Sequence, residues 1–238
     1  MTMDRRLFLA ALAGLAATPA LAQTADPASD AAVAAIQTEV EDIVARFMAA
    51  AGDLVAGFAT PKVVISFTEQ LSWIEEDGSA VHTAAWVQAP PDFQSLFASW
   101  LGDAPPMTPD KFFSEVFNAF LVPHEMSHFV DAKRGHLDNG GRLYDGEVHA
   151  NRVAVAFWLG QPGGEARMQS LMQAVAVVEG NLASPVPEGQ DRITYFQDNY
   201  AALGGNPPAY GWYQFRMFLD AWDKRAEKDF HTLLAEGA

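Results

Sequence analysis

Between Thr108 and Gly135 the chain carries one long helical pattern with a proline inside it, which constrains the fold more than any other segment. Thr108-Pro109-Asp110 is a strong helix start. It supplies a hydroxyl cap, a proline whose missing N–H costs nothing in the first turn, and an acid at the positive end of the dipole. Lys133-Arg134-Gly135 supplies the other end: a basic last turn, then a glycine free to take the left-handed conformation that closes a helix. Pro123 lies between these ends. It has no amide hydrogen, and its ring crowds the carbonyl four residues back, so the helix must kink or divide there.

The rest of the chain is read around this stretch. Ile36, Val40, Ile43, Val44 and Phe47 recur at helical spacing within 30–51. Segments 63–67, 72–74 and 80–87 read as three strands, with Glu75-Glu76-Asp77-Gly78 as a turn. Further helices are expected over 92–101, 146–159, 165–178, 191–202 and from 208 to about 234. The expected fold is α+β, predominantly helical, with one small early β-sheet. Hydrophobic residues make up 50% of the 238 and charged residues 19%, which places the body among folded chains of about one core. No linker divides it, so 23–238 is read as a single domain.

Residues 1–22 read as an address. Arg5 and Arg6 precede an apolar run, and Ala20-Leu21-Ala22 has the small-residue form of a cleavage site. The paired arginines followed by Leu7-Phe8-Leu9 resemble a twin-arginine signal. The run is too short to span a bilayer, and no later segment is long and apolar enough to do so. The chain is therefore expected to be exported, with the periplasm as its destination. With 15 Lys+Arg against 30 Asp+Glu the net charge is -15, which opposes binding to nucleic acid or anionic lipid. The absence of cysteine excludes a disulfide scaffold, a thiolate metal site and a cysteine nucleophile.

Chemistry concentrates at Pro123-His124-Glu125-Met126-Ser127-His128, an H-E-x-x-H pattern. Four residues are slightly more than one helical turn, so the two imidazoles share a face and can share one metal ion. Glu125 is one position round from the first ligand and within reach of a water on that ion. A hydrolytic zinc site needs a third protein ligand and an open fourth position. His136, Asp145, Glu147 and His149 are the downstream candidates. Glu147 is the best of them, with 18 residues (129–146) between it and His128, at the start of the next expected helix. Ala150 and Ala154 are small enough to let that helix approach the first. Asn151, one turn after Glu147, suits a hydrogen bond that orients a ligating histidine. Each residue also has a plainer reading: paired core histidines, an acid favoured by a helix dipole, an exposed asparagine. His82 reads as structural.

H-E-x-x-H followed by a glutamate on a second helix resembles the gluzincin branch of zinc metallopeptidases. Phe120 to Glu125 and Glu147-x-x-Ala150-Asn151 are also similar to a bacterial family of unknown function grouped with the metallopeptidases. The resemblance covers about 109–159. The metzincin pattern requires glycine at position 131 and histidine at 134, where Asp131 and Arg134 stand. The Gly-x-Met-Glu-Asn motif of the aminopeptidases is absent, and Asn151 stands where thermolysin-like enzymes often carry aspartate. The resemblance implies a zincin-like fold, one Zn²⁺ held by His124, His128 and Glu147, a peptide or protein substrate lying along the early sheet, and Glu125 as general base and then acid. Tyr210 and Tyr213 are the first candidates for the oxyanion donor, with Tyr200 and His231 behind them; each tyrosine suits a core aromatic equally well. The competing expectation is a periplasmic metal-binding or interaction module without catalysis, which would not need Glu125.

Overall fold

The structure is a computed structural model that describes residues 27–68, 70–103, 105–136 and 143–237. The expected signal segment, 1–22, lies outside the described residues. The first helix, α1 (Pro27–Ala51), buries Val40, Ile43, Val44 and Phe47, the apolar stripe read from their spacing. Three short strands follow: β1 (Lys62–Ile65), β2 (Ser72–Ile74) and β3 (Ala80–Thr83). β3 is central. β1 runs parallel to it, with Val63 opposite Val81, and β2 runs antiparallel, with Trp73 opposite His82. The β2–β3 turn contains Gly78 at φ +70, where a side chain would also meet the Phe129 ring at 2.8 Å. β3 is shorter than expected, because the chain turns into a 3₁₀ stretch at Trp86–Gln88.

The remaining elements are helical: α2 (Pro91–Leu101), α3 (Pro109–Phe113), α4 (Leu121–Arg134), α5 (Leu143–Leu159), α6 (Gly164–Asn181), α7 (Arg192–Gly204), α8 (Pro207–Asp223) and α9 (Phe230–Glu236). The small sheet on a mainly helical body is the α+β class expected. The last helix is not continuous to 234. Nothing in Lys224 to Lys228 forbids helix by propensity, yet Asp229 Oδ1 accepts from the Thr232 amide at 2.7 Å and starts α9 afresh.

Pro123 is accommodated in an instructive way. Residues Ser114–Phe120 form a π-helical stretch that joins α3 to α4, so the long pattern divides into two α-helices without a gap. The wider π turn relieves crowding before the proline. Ala119 lies four residues before Pro123, which has no N–H to give its carbonyl. Trp158 of α5 supplies the donor instead, its Nε1–H reaching Ala119 O at 3.3 Å. Thr83 Oγ1 donates to Phe117 O at 2.8 Å, while Asn118 Nδ2 donates to Ala84 O at 2.8 Å. The π stretch is thereby fastened to the end of β3 on one side and to α5 on the other. Glu115, buried in the same stretch, takes Arg167 of α6 at 2.6 Å and Lys111 at 2.5 Å.

α4 packs on α5, β2 and β3, and α5 packs on α8. Ala150 and Ala154 are fully buried in α5, which lets the α4 and α5 backbones come close. Gly135 caps α4 in the left-handed conformation, as its position predicts.

Candidate metal centre

His124 and His128 project from one face of α4, their rings 4.8 Å apart and nearly perpendicular. Glu147, in the second turn of α5, comes to meet them. Its Oε2 lies 3.3 Å from His124 Nε2 and its Oε1 lies 3.1 Å from His128 Nε2. Two ligands at about 2.0–2.1 Å from one tetrahedral ion are about 3.3 Å apart, so these separations fit two edges of such a site. Among the described residues, this is the group of three side chains whose ligand atoms converge, all within 4.8 Å of one another, and it can hold a metal ion.

His124 Nδ1–H donates to Asn151 Oδ1 at 2.8 Å. That bond engages Nδ1 and turns Nε2, the atom a ligating histidine offers to a metal, toward Glu147. Burial disfavours the His124 imidazolium, but the Glu147 carboxylate outweighs it, with help from Glu125 and Asn151, and the pKa is raised. Burial likewise pushes the Glu147 carboxyl up, and the His128 and His124 imidazoles more than reverse this, bringing it down to about 2. Glu147 is thus an anion sealed from water and facing two imidazoles, and its Oε2 completes no hydrogen bond. A cation between the three side chains would satisfy that oxygen, and this is the structural reason the donor set fits a metal.

Glu125 is buried, and its charge acts on His124, so it lies beside the cluster and outside the ligand set. His128 is the most exposed ligand, at 16% of its side chain, so the centre opens on that side. His149 is not brought into the cluster. It is held neutral, its pKa lowered to about 4 by burial first and then by His128 and Arg152. His136 also lies elsewhere, against Gly237. His82 stacks flat on Trp73 at 3.6 Å and reaches Glu75 at 3.3 Å, a sheet-surface role.

The two tyrosines named from sequence separate here. Tyr210 of α8 is fully buried, and Glu147 is among the groups that raise its pKa well above the ordinary value, after burial itself and Tyr200. Tyr213, three residues on, is a correction. Its hydroxyl donates to the Arg192 carbonyl at 2.8 Å, and its charged neighbours are Arg192 and Asp191 at the start of α7. Its proton is spent on that carbonyl at the start of α7, so Tyr213 is not placed as a donor at the cluster. Gln214, one turn after Tyr210 and pressed against it, escaped the sequence reading although the i, i+4 spacing was visible. Comparison of the chain with protein-family profiles, with curated proteins and with solved structures gives no match.

Proposed function

We propose that this protein is an exported zinc-dependent peptidase, with His124, His128 and Glu147 as the metal ligands. The observation that carries the reading is the convergence of those three side chains with Glu125 beside them, buried and outside the ligand set. An ion held there supplies Lewis acidity, drawing the pKa of a water toward neutrality and polarising a substrate carbonyl. Zinc is the default ion for two histidines and a glutamate with an open position.

The chain's own groups do the rest. Asn151 holds the His124 ring in register. Glu125 takes the proton of the attacking water and returns it to the leaving amine. Tyr210 of α8, a phenol kept neutral by burial first and also by Tyr200 and Glu147, is the first candidate donor for the oxygen that gains charge. The edge strand β2, packed on α4, offers unpaired backbone groups along which an extended peptide can lie. Export to the periplasm rests on residues 1–22 alone.

Elemental analysis and a peptide-library digest on wild type, His128→Ala and Glu125→Ala test this. The expected result is one zinc per wild-type chain and cleavage of the library. His128→Ala should lose both, and Glu125→Ala should keep the metal while turnover falls by about 10²-fold or more. Zinc without cleavage in the wild type would leave a metal-binding protein that is not a peptidase. Failure to take up added zinc would end the reading altogether.

A further inference from the structure

Glu147 stands in the second turn of α5, four residues after the helix starts at Leu143. The first turn of a helix has amides without intrahelical partners and frays readily, so a ligand placed near it needs anchoring from outside. Tyr144, buried in that first turn, is anchored three times over. Its hydroxyl donates to Asp220 Oδ2 of α8 at 2.9 Å, a bond strengthened by the charge on the acceptor. Asp220 is held in turn by two guanidinium groups: Arg192 Nη2 donates to Oδ2, and Arg216 Nε and Nη2 both reach Oδ1 at 3.2 Å. The Arg192 guanidinium also stands 5.7 Å from the Tyr144 ring centroid. One turn further along α7, Phe196 meets that ring at a T-shaped angle, 5.6 Å between centroids. Beside it, Gln197 Oε1 accepts from the Tyr144 amide at 3.3 Å. Hydroxyl, ring and backbone of one residue are thus each tied to α7 or α8, three positions before a candidate metal ligand.

We propose that Tyr144, anchored on Asp220, is the positioning residue that holds Glu147 in the metal centre. The inference rests on the metal-binding part of the reading above and adds to it a pair of side chains that touch neither ion nor substrate. A metal site tolerates about 0.2 Å in a ligand distance. The two oxygens of Glu147 face different histidines, at 3.3 and 3.1 Å, so a slide or rotation of the α5 start takes the carboxylate off one of them. Tyr144 and Glu147 are three apart on one helix, close to a full turn, so fixing the first fixes the second. His124 and His128 share α4 and hold each other's spacing without help. The third ligand comes from a separate element, and the Tyr144–Asp220 clasp sets where that element begins.

Titration of the metal-free full chain with Zn²⁺ and with Co²⁺ tests this on wild type, Tyr144→Phe and Asp220→Asn. Zinc is read by competition with a chromophoric chelator. Cobalt is read by its visible d–d absorption, which follows coordination geometry and not fold stability. Tyr144→Phe keeps the ring and removes the hydroxyl; it should weaken zinc binding about tenfold and alter the cobalt band. Asp220→Asn leaves a neutral acceptor and should move both readouts the same way by less. In a Glu147→Ala background, Tyr144→Phe should weaken zinc no further, because the clasp acts through that carboxylate. Asn181→Ala removes a hydrogen bond between other helices, from Asn181 Nδ2 of α6 to Trp100 O of α2 at 3.0 Å, and should leave both readouts alone. Wild-type zinc affinity with an unaltered cobalt band in Tyr144→Phe overturns the inference, as does an equal loss in the Glu147→Ala background; the metal-centre reading then stands. A wild type that takes up neither ion overturns both. Absence of peptide cleavage bears on the peptidase reading alone.

Discussion

At the scale of single residues, Asn151 is the test of how the centre is tuned. Its side chain accepts the proton-bearing Nδ1 of His124 at 2.8 Å in a fully buried setting. Asn151→Ala would leave that N–H without a partner and the ring free to rotate. Zinc affinity should fall about 10–100-fold, read by competition with a chromophoric chelator, with the fold retained. An unchanged affinity would show that packing alone holds the ring. Much at this scale was legible beforehand. His124 and His128 on α4, and Glu147 and Asn151 on α5, are each one helical turn apart, which is a property of sequence; that the two pairs meet is decided by the packing of α5 on α4. The tyrosines were not legible in the same way. Tyr210 and Tyr213 are equally buried aromatics of one helix, and only the position of α7 decides that the Tyr213 hydroxyl ends on the Arg192 carbonyl.

At the scale of elements, the centre depends on how α5 is set against α4. Two points define that registry: Glu147 between the histidines at one end, and the Trp158 indole on the Ala119 carbonyl at the other. Trp158→Phe keeps the aromatic bulk and removes the donor. The Ala119 carbonyl, which Pro123 leaves without its i+4 amide, then loses the indole donor. The expected cost is about 1–3 kcal/mol in chemical denaturation. Zinc affinity should weaken in step, because the same contact aligns Glu147. A loss of stability with zinc affinity untouched would show that the Glu147 end sets the registry alone. The disruption at Pro123 could be foreseen from the missing N–H. Its form, a π-helical stretch with a donor borrowed from another helix, could not, because the lender lies 39 residues away.

For the whole molecule, the carboxylates decide the response to acid. Glu115 has its pKa lowered: burial alone would raise it, and the hydrogen bonds from Arg167 and Lys111 with their charges prevail. Glu147 is lowered to about 2 against the ordinary 4.5. A carboxyl with a folded pKa below its unfolded one contributes stability that is complete above the unfolded value and is lost as pH falls through the folded one. The metal-free protein should therefore hold its urea midpoint down to about pH 5 and lose it steeply below about 4.5. Glu115→Gln should flatten part of that fall. It should also cost roughly 2 kcal/mol at pH 7, less than a fully buried pair because Lys111 is exposed and Arg167 partly so. A midpoint in Glu115→Gln with the same acid slope as wild type would remove Glu115 from this account.

What the sequence determined by itself is whatever is local: the helical runs, the helix start at Thr108-Pro109 (although the Thr108 hydroxyl makes no cap bond), the cap at Gly135, the shared face of His124 and His128, and the class of a mainly helical fold with a small sheet. Periodicity and capping are short-range, so they survive in a string of letters. Tertiary structure alone decided that the Tyr213 hydroxyl ends on the Arg192 carbonyl, what repairs the Pro123 gap, and why α9 separates from α8. Each of these is a contact or hydrogen bond chosen among several sterically possible ones. That choice is made by the burial of the surrounding core, whose free energy belongs to the packed molecule and to no single segment.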